Sequence, residues 1–316
     1  MAVIRRADQM VTKNQNIAMV GAGLMGHGIA LILARAGQNV AITDPNAEAR
    51  DSVIDRIHQS MQDLGEDGTS TANALKRIRV DDSIAAAVRD AHFVFEAAPE
   101  KLGLKQQLFA EIEEHAPQDC ILASNTSVIP ITQIMSKLRN KARAVGTHWW
   151  NPPHMIPLVE VVRTEWTDSN VAQSMYDLLQ DAGKTPVMVH KDVPGFIGNR
   201  LQHALWREAV SLVENGICDA QSVDTVIKAS FGRRLAVLGP LENADLVGTD
   251  LTLDIHENVL HDLEDRQGPS PYLEQLVKEG RLGMKTGEGF RTWTEAEAQA
   301  VRDRVTAHLK KLDNIL

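Results

Sequence analysis

The chain of 316 residues is long for one core and comfortable for two, at ~150 residues per domain. Hydrophobic residues make up 43% and charged residues 24%, and the net charge of -9 argues against a nucleic-acid surface, which needs clustered Lys and Arg. No apolar run approaches the ~18 residues of a membrane span.

Residues 1–13 carry Arg5 and Arg6 with no hydrophobic segment behind them, so they read as a short loose arm rather than a secretory signal. Ile17-Ala18-Met19-Val20 reads as a buried strand, followed at once by Gly21-Ala22-Gly23-Leu24-Met25-Gly26. Ile29, Ala30, Leu33 and Ala34 then recur at helical spacing until Gly37, and a second strand, Val40-Ala41-Ile42-Thr43, ends on Asp44. Strand, G-x-G-x-x-G, helix, strand and acid in this order are the fingerprint of a dinucleotide site. The glycines allow a tight turn and a close backbone approach to a pyrophosphate, which meets the positive end of the helix dipole. Asp44 suits the ribose hydroxyls and would repel a 2′-phosphate, which favours NAD over NADP.

The apolar positions Val53, Ile54, Ile57 and Met61 predict one helix over residues 47–62, followed by the acidic connection Asp63-Leu64-Gly65-Glu66-Asp67. A short helix around residues 73–77 leads to a small strand, 78–80. A charged stretch, 81–90, precedes a fourth strand over 93–97. Residues 98–100 follow the fourth strand and residues 124–127 occupy the carboxyl end of a fifth, 121–124, where open α/β sheets bind ligands. A helix is predicted over 131–138. The alternation calls for an α/β fold of Rossmann type, a doubly wound, mostly parallel sheet with helices on both faces.

A further apolar run, 142–147, ends at His148. The break Trp149-Trp150-Asn151-Pro152-Pro153 cannot be helical, because the residue before each proline is pushed towards extended backbone. The next run, 158–162, carries Glu160. If the two runs are antiparallel neighbours, Glu160 reaches back to His148, and a histidine oriented by a carboxylate is what proton transfer near neutral pH needs. His154, in the same loop, is the rival base. A helix over 168–182 and a strand over 186–189 complete this half. The boundary is expected at Lys191-Asp192-Val193-Pro194-Gly195, giving a cofactor domain of residues 1–193 and a mostly α-helical domain of residues 194–316. In the latter, Ile197, Leu201, Leu205, Ala209, Leu212 and Val213 mark a long helix with more large apolar residues than a half-domain covers. A homodimer through the helical halves is therefore expected. Cys120 and Cys218 form no CxxC and read as free thiols in a reducing cytoplasm.

With these motifs in place the sequence resembles the 3-hydroxyacyl-CoA dehydrogenase family. The resemblance is carried by the glycine loop, Ser124-Asn125-Thr126-Ser127, His148 with Asn151-Pro152, Leu158-Val159-Glu160-Val161, Pro194-Gly195-Phe196-Ile197-Gly198-Asn199-Arg200 and Lys285-Thr286-Gly287-Glu288-Gly289-Phe290. It implies NAD-dependent interconversion of a 3-hydroxyacyl and a 3-ketoacyl group, within fatty acid metabolism. His148 would be the base, Glu160 its orienting partner, and Ser127 and Asn199 hydrogen-bonding groups at the reacting oxygen. Glu100, Lys105, Asn151 and Lys285 would join Gly21, Ala22, Gly23, Leu24, Met25, Gly26 and Asp44 as cofactor contacts.

One stretch departs from the family pattern. Members acting on coenzyme A thioesters generally carry a lysine-rich hairpin after the second strand, whereas residues 63–67 here hold three acids and no lysine. Arg56, Lys76 and Arg77 are the nearest compensation for phosphates that want Lys or Arg. The alternative to an acyl-CoA substrate is a free 3-hydroxy acid of the L-gulonate or L-carnitine type. A non-catalytic, crystallin-like NAD-binding protein is the alternative of another class, and it would need none of Ser127, His148, Glu160 and Asn199.

Overall fold

The computed structural model describes residues 14–312, so the expected N-terminal arm lies outside the described residues. The chain forms two compact units. One reaches to Arg200 and takes back the last helix from Thr306, and the other comprises Leu201–Val305.

The first unit is built on one eight-stranded sheet: β1 Asn16–Val20, β2 Asn39–Thr43, β3 Ile78–Val80, β4 Phe93–Glu96, β5 Ile121–Ser124, β6 Ala144–Trp149, β7 Leu158–Val162 and β8 Thr185–Val189. Their order across the sheet is β3-β2-β1-β4-β5-β6-β7-β8. The pairs from β3 to β6 are parallel, β6 and β7 are antiparallel, and β7 and β8 are parallel. This is the Rossmann order extended by an antiparallel turn-back. The central strands are buried on both faces, which is why they read as unbroken apolar runs rather than alternating ones. Separate apolar clusters coat the two faces, one around Ile29, Leu33 and Ile57, the other around Phe109, Ile112 and Leu138.

Local differences from the expected elements have local causes. The helix expected over residues 47–62 is two, Ala47–Asp51 and Val53–Leu64, parted where the Ser52 hydroxyl donates to the Glu48 carbonyl at 2.6 Å. The charged stretch 81–90 contains a short helix, Ile84–Val88, because Ser83 caps it by accepting from the Ala86 N–H. The helix expected near residues 73–77 starts earlier, as Gly68–Leu75, where Asp67 accepts from the Ser70 N–H. β6 starts at Ala144 rather than Ala142, since Asn140 accepts from the Ala142 N–H and winds Lys141–Arg143 into a 3-10 turn. The helix expected over 131–138 stops at Ile134.

The second unit is helical, with Ala220–Ala229, Pro240–Val247, Thr249–Val259 and Pro271–Lys278 as its principal helices, besides parts of Gly198–Glu214 and Glu295–Leu312. Among the described residues no helix is long and apolar enough to cross a membrane.

Candidate active site

The carboxyl ends of β1 and β2 carry the glycine loop and Asp44. The helix Gly26–Arg35 begins without a side-chain cap, since its N-cap residue is Met25, and no acid occupies its first turn. Its first N–H groups are therefore donors without a side-chain acceptor, at the positive end of the dipole. A β-carbon added to Gly23 would meet nothing within 4 Å, so the smallness of this residue serves no packing inside the protein. It leaves room for an approaching anion. Asp44 Oδ2 accepts from the Ala22 N–H at 2.8 Å and Oδ1 from the Asn46 N–H at 2.9 Å, which holds the carboxylate against the loop. These features fit NAD.

The carboxyl ends of β4 and β5 carry a charged network that is partly sealed inside. Lys105 and Glu96 are both wholly buried, and the Lys105 ammonium donates to Glu96 Oε1 at 2.7 Å and to the Ala98 carbonyl at 3.0 Å. The Ser124 hydroxyl donates to Glu96 Oε2 at 2.6 Å. Glu100 lies 3.4 Å from the same ammonium. It accepts from the Thr126 hydroxyl and from the N–H groups of Ser127 and Val128, at 2.9 and 3.1 Å. Burial works against ionisation of Glu100, but the Thr126 and Val128 hydrogen bonds, Lys105 and the Ser127 N–H outweigh it and hold the carboxyl below its ordinary range. In the sequence Glu96 reads only as part of the apolar run 93–97.

β6 and β7 pair so that His148 stands directly opposite Glu160. His148 Nδ1 lies 2.6 Å from Glu160 Oε2, with both side chains buried. Glu160 Oε1 accepts from the N–H groups of Ile197 and Gly198, at 2.8 and 3.0 Å, where the helix Gly198–Glu214 begins. Burial raises the carboxyl's pKa, yet the His148 hydrogen bond and those two N–H groups bring it below its ordinary value. The N–H groups are aimed by Phe196, a bulky residue held at φ 51, in the left-handed region that such side chains rarely adopt. The Phe196 and Trp150 rings flank the imidazole, with centroids 5.6 and 5.1 Å from it. Neither aromatic was predicted at the site, and the Pro-Gly before Phe196 is the signal that marks the turn.

Asn199, nine-tenths buried, donates from Nδ2 to the Ser127 carbonyl at 2.8 Å, which joins the 124–127 segment to the region of the pair. Ser127 itself is exposed, and Thr126 accepts from the Ile129 N–H in the following turn. His154 does not join the pair. It lies tilted near His27, with ring centroids 6.5 Å apart, and burial pushes its pKa down to about 4, helped by His27. Asn151 is exposed on the connection that follows β6, and Lys285 lies exposed in the second unit. Among the described residues no cluster of His, Cys, Asp or Glu could hold a metal ion.

A Rossmann-type sheet with an NAD site at its switch point, followed by a helical domain, defines a two-domain NAD-dependent dehydrogenase acting on CH–OH groups. The chain matches the family models for "3-hydroxyacyl-CoA dehydrogenase, NAD binding domain" over residues 16–193 and for its C-terminal domain over residues 195–293. It belongs to the 3-hydroxyacyl-CoA dehydrogenase family. It is 35% identical over 303 residues to the 5-formyl-3-hydroxy-2-methylpyridine 4-carboxylate 5-dehydrogenase of Mesorhizobium japonicum, covering 96% of this chain and 98% of the relative. A crystal structure of an enzyme of that name, described as an NAD+ dependent dismutase, superposes with a TM-score of 0.87 at 34% identity, covering 96% of this chain and 98% of the other. The L-carnitine dehydrogenase of Streptomyces coelicolor is 38% identical over 235 residues, 74% of each chain. The (S)-3-hydroxybutyryl-CoA dehydrogenase PaaH1 of Ralstonia eutropha superposes with a TM-score of 0.75 at 30% identity, covering 90% of this chain and all of the other.

Proposed function

We propose that this dehydrogenase acts on a small free carboxylic acid rather than on a coenzyme A thioester. The observation that carries this reading is that residues 63–67, where the family resemblance leads one to expect lysines for the phosphates of coenzyme A, hold Asp63, Glu66 and Asp67 and no lysine. The neighbouring arginines are engaged within the unit. Arg35 pairs with Glu66, Arg56 donates to the Ala49 carbonyl at 2.6 Å, and Arg77 donates to Asn14 at 3.0 Å. The higher TM-score to the pyridine-carboxylate enzyme than to the 3-hydroxybutyryl-CoA enzyme supports the same side.

Bound NAD supplies the hydride acceptor. His148 removes the hydroxyl proton: with Nδ1–H donated to Glu160, its free Nε2 lone pair is the base. The Glu160 carboxylate stabilises the imidazolium that results. Ser127 and Asn199 act at the reacting oxygen, Asn199 through the N–H that the Ser127 carbonyl does not take. Glu100, with Lys105 behind it, shapes the loop that the cofactor meets. A hydrated aldehyde offers the same H–C–O–H unit as a secondary alcohol, so the same imidazole serves it without a thiol. Cys120 is indeed buried, with its thiol pushed up to about 12.

NAD reduction with 3-hydroxybutyryl-CoA, 3-hydroxybutyrate, L-gulonate, L-carnitine and 5-formyl-3-hydroxy-2-methylpyridine 4-carboxylate tests the reading side by side. At least one free acid is expected to exceed the thioester in kcat/KM by roughly 10²-fold. Faster turnover of 3-hydroxybutyryl-CoA than of every free acid overturns the proposal.

The helical unit supports a homodimer. Among its described hydrophobic residues Leu276 and Ala298 are the buried ones, while Leu201, Trp206, Leu251, Leu253 and Ile255 are 47–59% exposed. Helices that hide so little apolar surface need a partner to cover it. Light scattering at micromolar concentration should give twice the chain's 34.8 kDa, and a monomer would count against the dimer.

A further inference from the structure

Lys184 stands between the helix Ser169–Asp181 and β8, nine-tenths buried. Its ammonium donates to the carbonyl oxygens of Pro153 and Ile156, at 2.6 and 2.9 Å, and lies 5.4 Å from the centre of the Trp149 ring. A buried ammonium is costly unless acceptors meet it, and both of these acceptors sit on the connection between β6 and β7. That connection joins His148 to Glu160.

Besides Lys184, the Thr185 N–H ties the connection by donating to the Pro157 carbonyl at 2.9 Å, and Pro153 and Met155 are buried. Pro152 and Pro153 bring no N–H, and the N–H groups of Met155 and Ile156 both turn inward to the Pro152 carbonyl. Behind it lies an open cleft of about 590 Å³, bordered by His154, Met155, Pro157 and Lys184. In front, Pro153 rests on the first turn of Gly26–Arg35, so close that a β-carbon on Gly28 would lie 2.6 Å from its ring. The connection thus ties the end of β6, next to His148, to the helix that receives the pyrophosphate.

We propose that Lys184 is a positioning residue: it latches residues 150–157 so that His148 stays set against Glu160 and in register with the dinucleotide-binding helix. The proposal rests on reading that pair as the site of proton transfer. A misplacement of ~1 Å at a reacting centre costs on the order of 10²-fold in rate, which sets the expected scale.

The test compares Lys184→Met, Lys184→Arg and His148→Ala with the parent full-length enzyme. Lys184→Met should lower kcat by roughly 10- to 100-fold on the best acid of the panel above, while KM for NAD changes by less than about threefold. Without substrate or NAD, amides 154–156 should exchange faster with deuterium, and the downfield proton resonance of the His148–Glu160 hydrogen bond should broaden or vanish. Lys184→Arg, which keeps the charge and the donors, should recover part of both kcat and the resonance. A kcat for Lys184→Met within twofold of the parent, or an unchanged resonance, overturns the latch. So does a loss of kcat that only matches the loss of folded protein. An active His148→Ala enzyme overturns the proton-transfer reading and the latch's catalytic purpose with it, and the exchange and resonance measurements separate that failure from a failure of the latch.

Discussion

His148→Ala should lose about 10³- to 10⁴-fold in kcat while still binding NAD, and Glu160→Gln about 10²-fold. Among the described residues the His148 imidazole is the one ring that combines a 2.6 Å carboxylate partner with a position between two aromatic walls at the carboxyl edge of the sheet. Glutamine keeps the shape and an acceptor for the Ile197 and Gly198 N–H groups, but loses the charge that stabilises imidazolium. The double variant should be little worse than His148→Ala, because residues acting as one unit are not additive. Losses that multiply in the double variant would mean that the two do not form a pair. If His154 were the base, His154→Ala would be the inactive enzyme instead. The pH dependence has a definite sign. Glu160 is held below its reference value of 4.5, so the stability it contributes is complete above that pH and is lost as pH falls through its lowered folded value. Glu160→Gln should therefore flatten the acid side of the stability profile.

The sheet was legible because its signals are local. Buried parallel strands announce themselves as short apolar runs, and the glycine loop and Asp44 follow in a fixed order. The opposition of His148 and Glu160 could be expected from two runs separated by a Pro-Pro break, since an antiparallel return brings such positions together. What could not be read depends on partners distant in sequence. Nothing near Glu96 says that a hydroxyl 28 residues on will meet it, nor does the sequence around Glu100 reveal donors at 126–128. Pro194-Gly195 marks a turn, but nothing local says that the left-handed backbone falls on Phe196, a non-glycine position. Lys184 reads as solvated, the default for a lysine after a helix-ending glycine, whereas the fold of residues 150–157 brings two carbonyls to its ammonium.

Lys105→Met should destabilise the sheet unit by about 3–5 kcal/mol, because it leaves the Glu96 carboxylate buried without its cation. For a unit of this size that corresponds to a fall of roughly 6–20 °C in its melting transition. The double variant Lys105→Met/Glu96→Gln should recover much of the loss. Its amide oxygen still accepts from the Ala98 N–H and its NH2 faces the Ser124 hydroxyl, so no buried charge is left over. A melting point for Lys105→Met within about 3 °C of the parent would show that the network carries no such energy. The same two variants bear on the cofactor. If Lys105 touches NAD directly, as the family resemblance implies, both variants should bind it equally poorly. The geometry favours the indirect route, in which the ammonium steadies Glu100 at 3.4 Å and Glu100 holds the N–H groups of Ser127 and Val128. On that route Glu100→Gln, with Lys105 in place, should lower the affinity for NAD, read by titration of the nucleotide-free protein, as much as Lys105→Met does. An affinity that falls only in the two Lys105 variants would mark a direct contact.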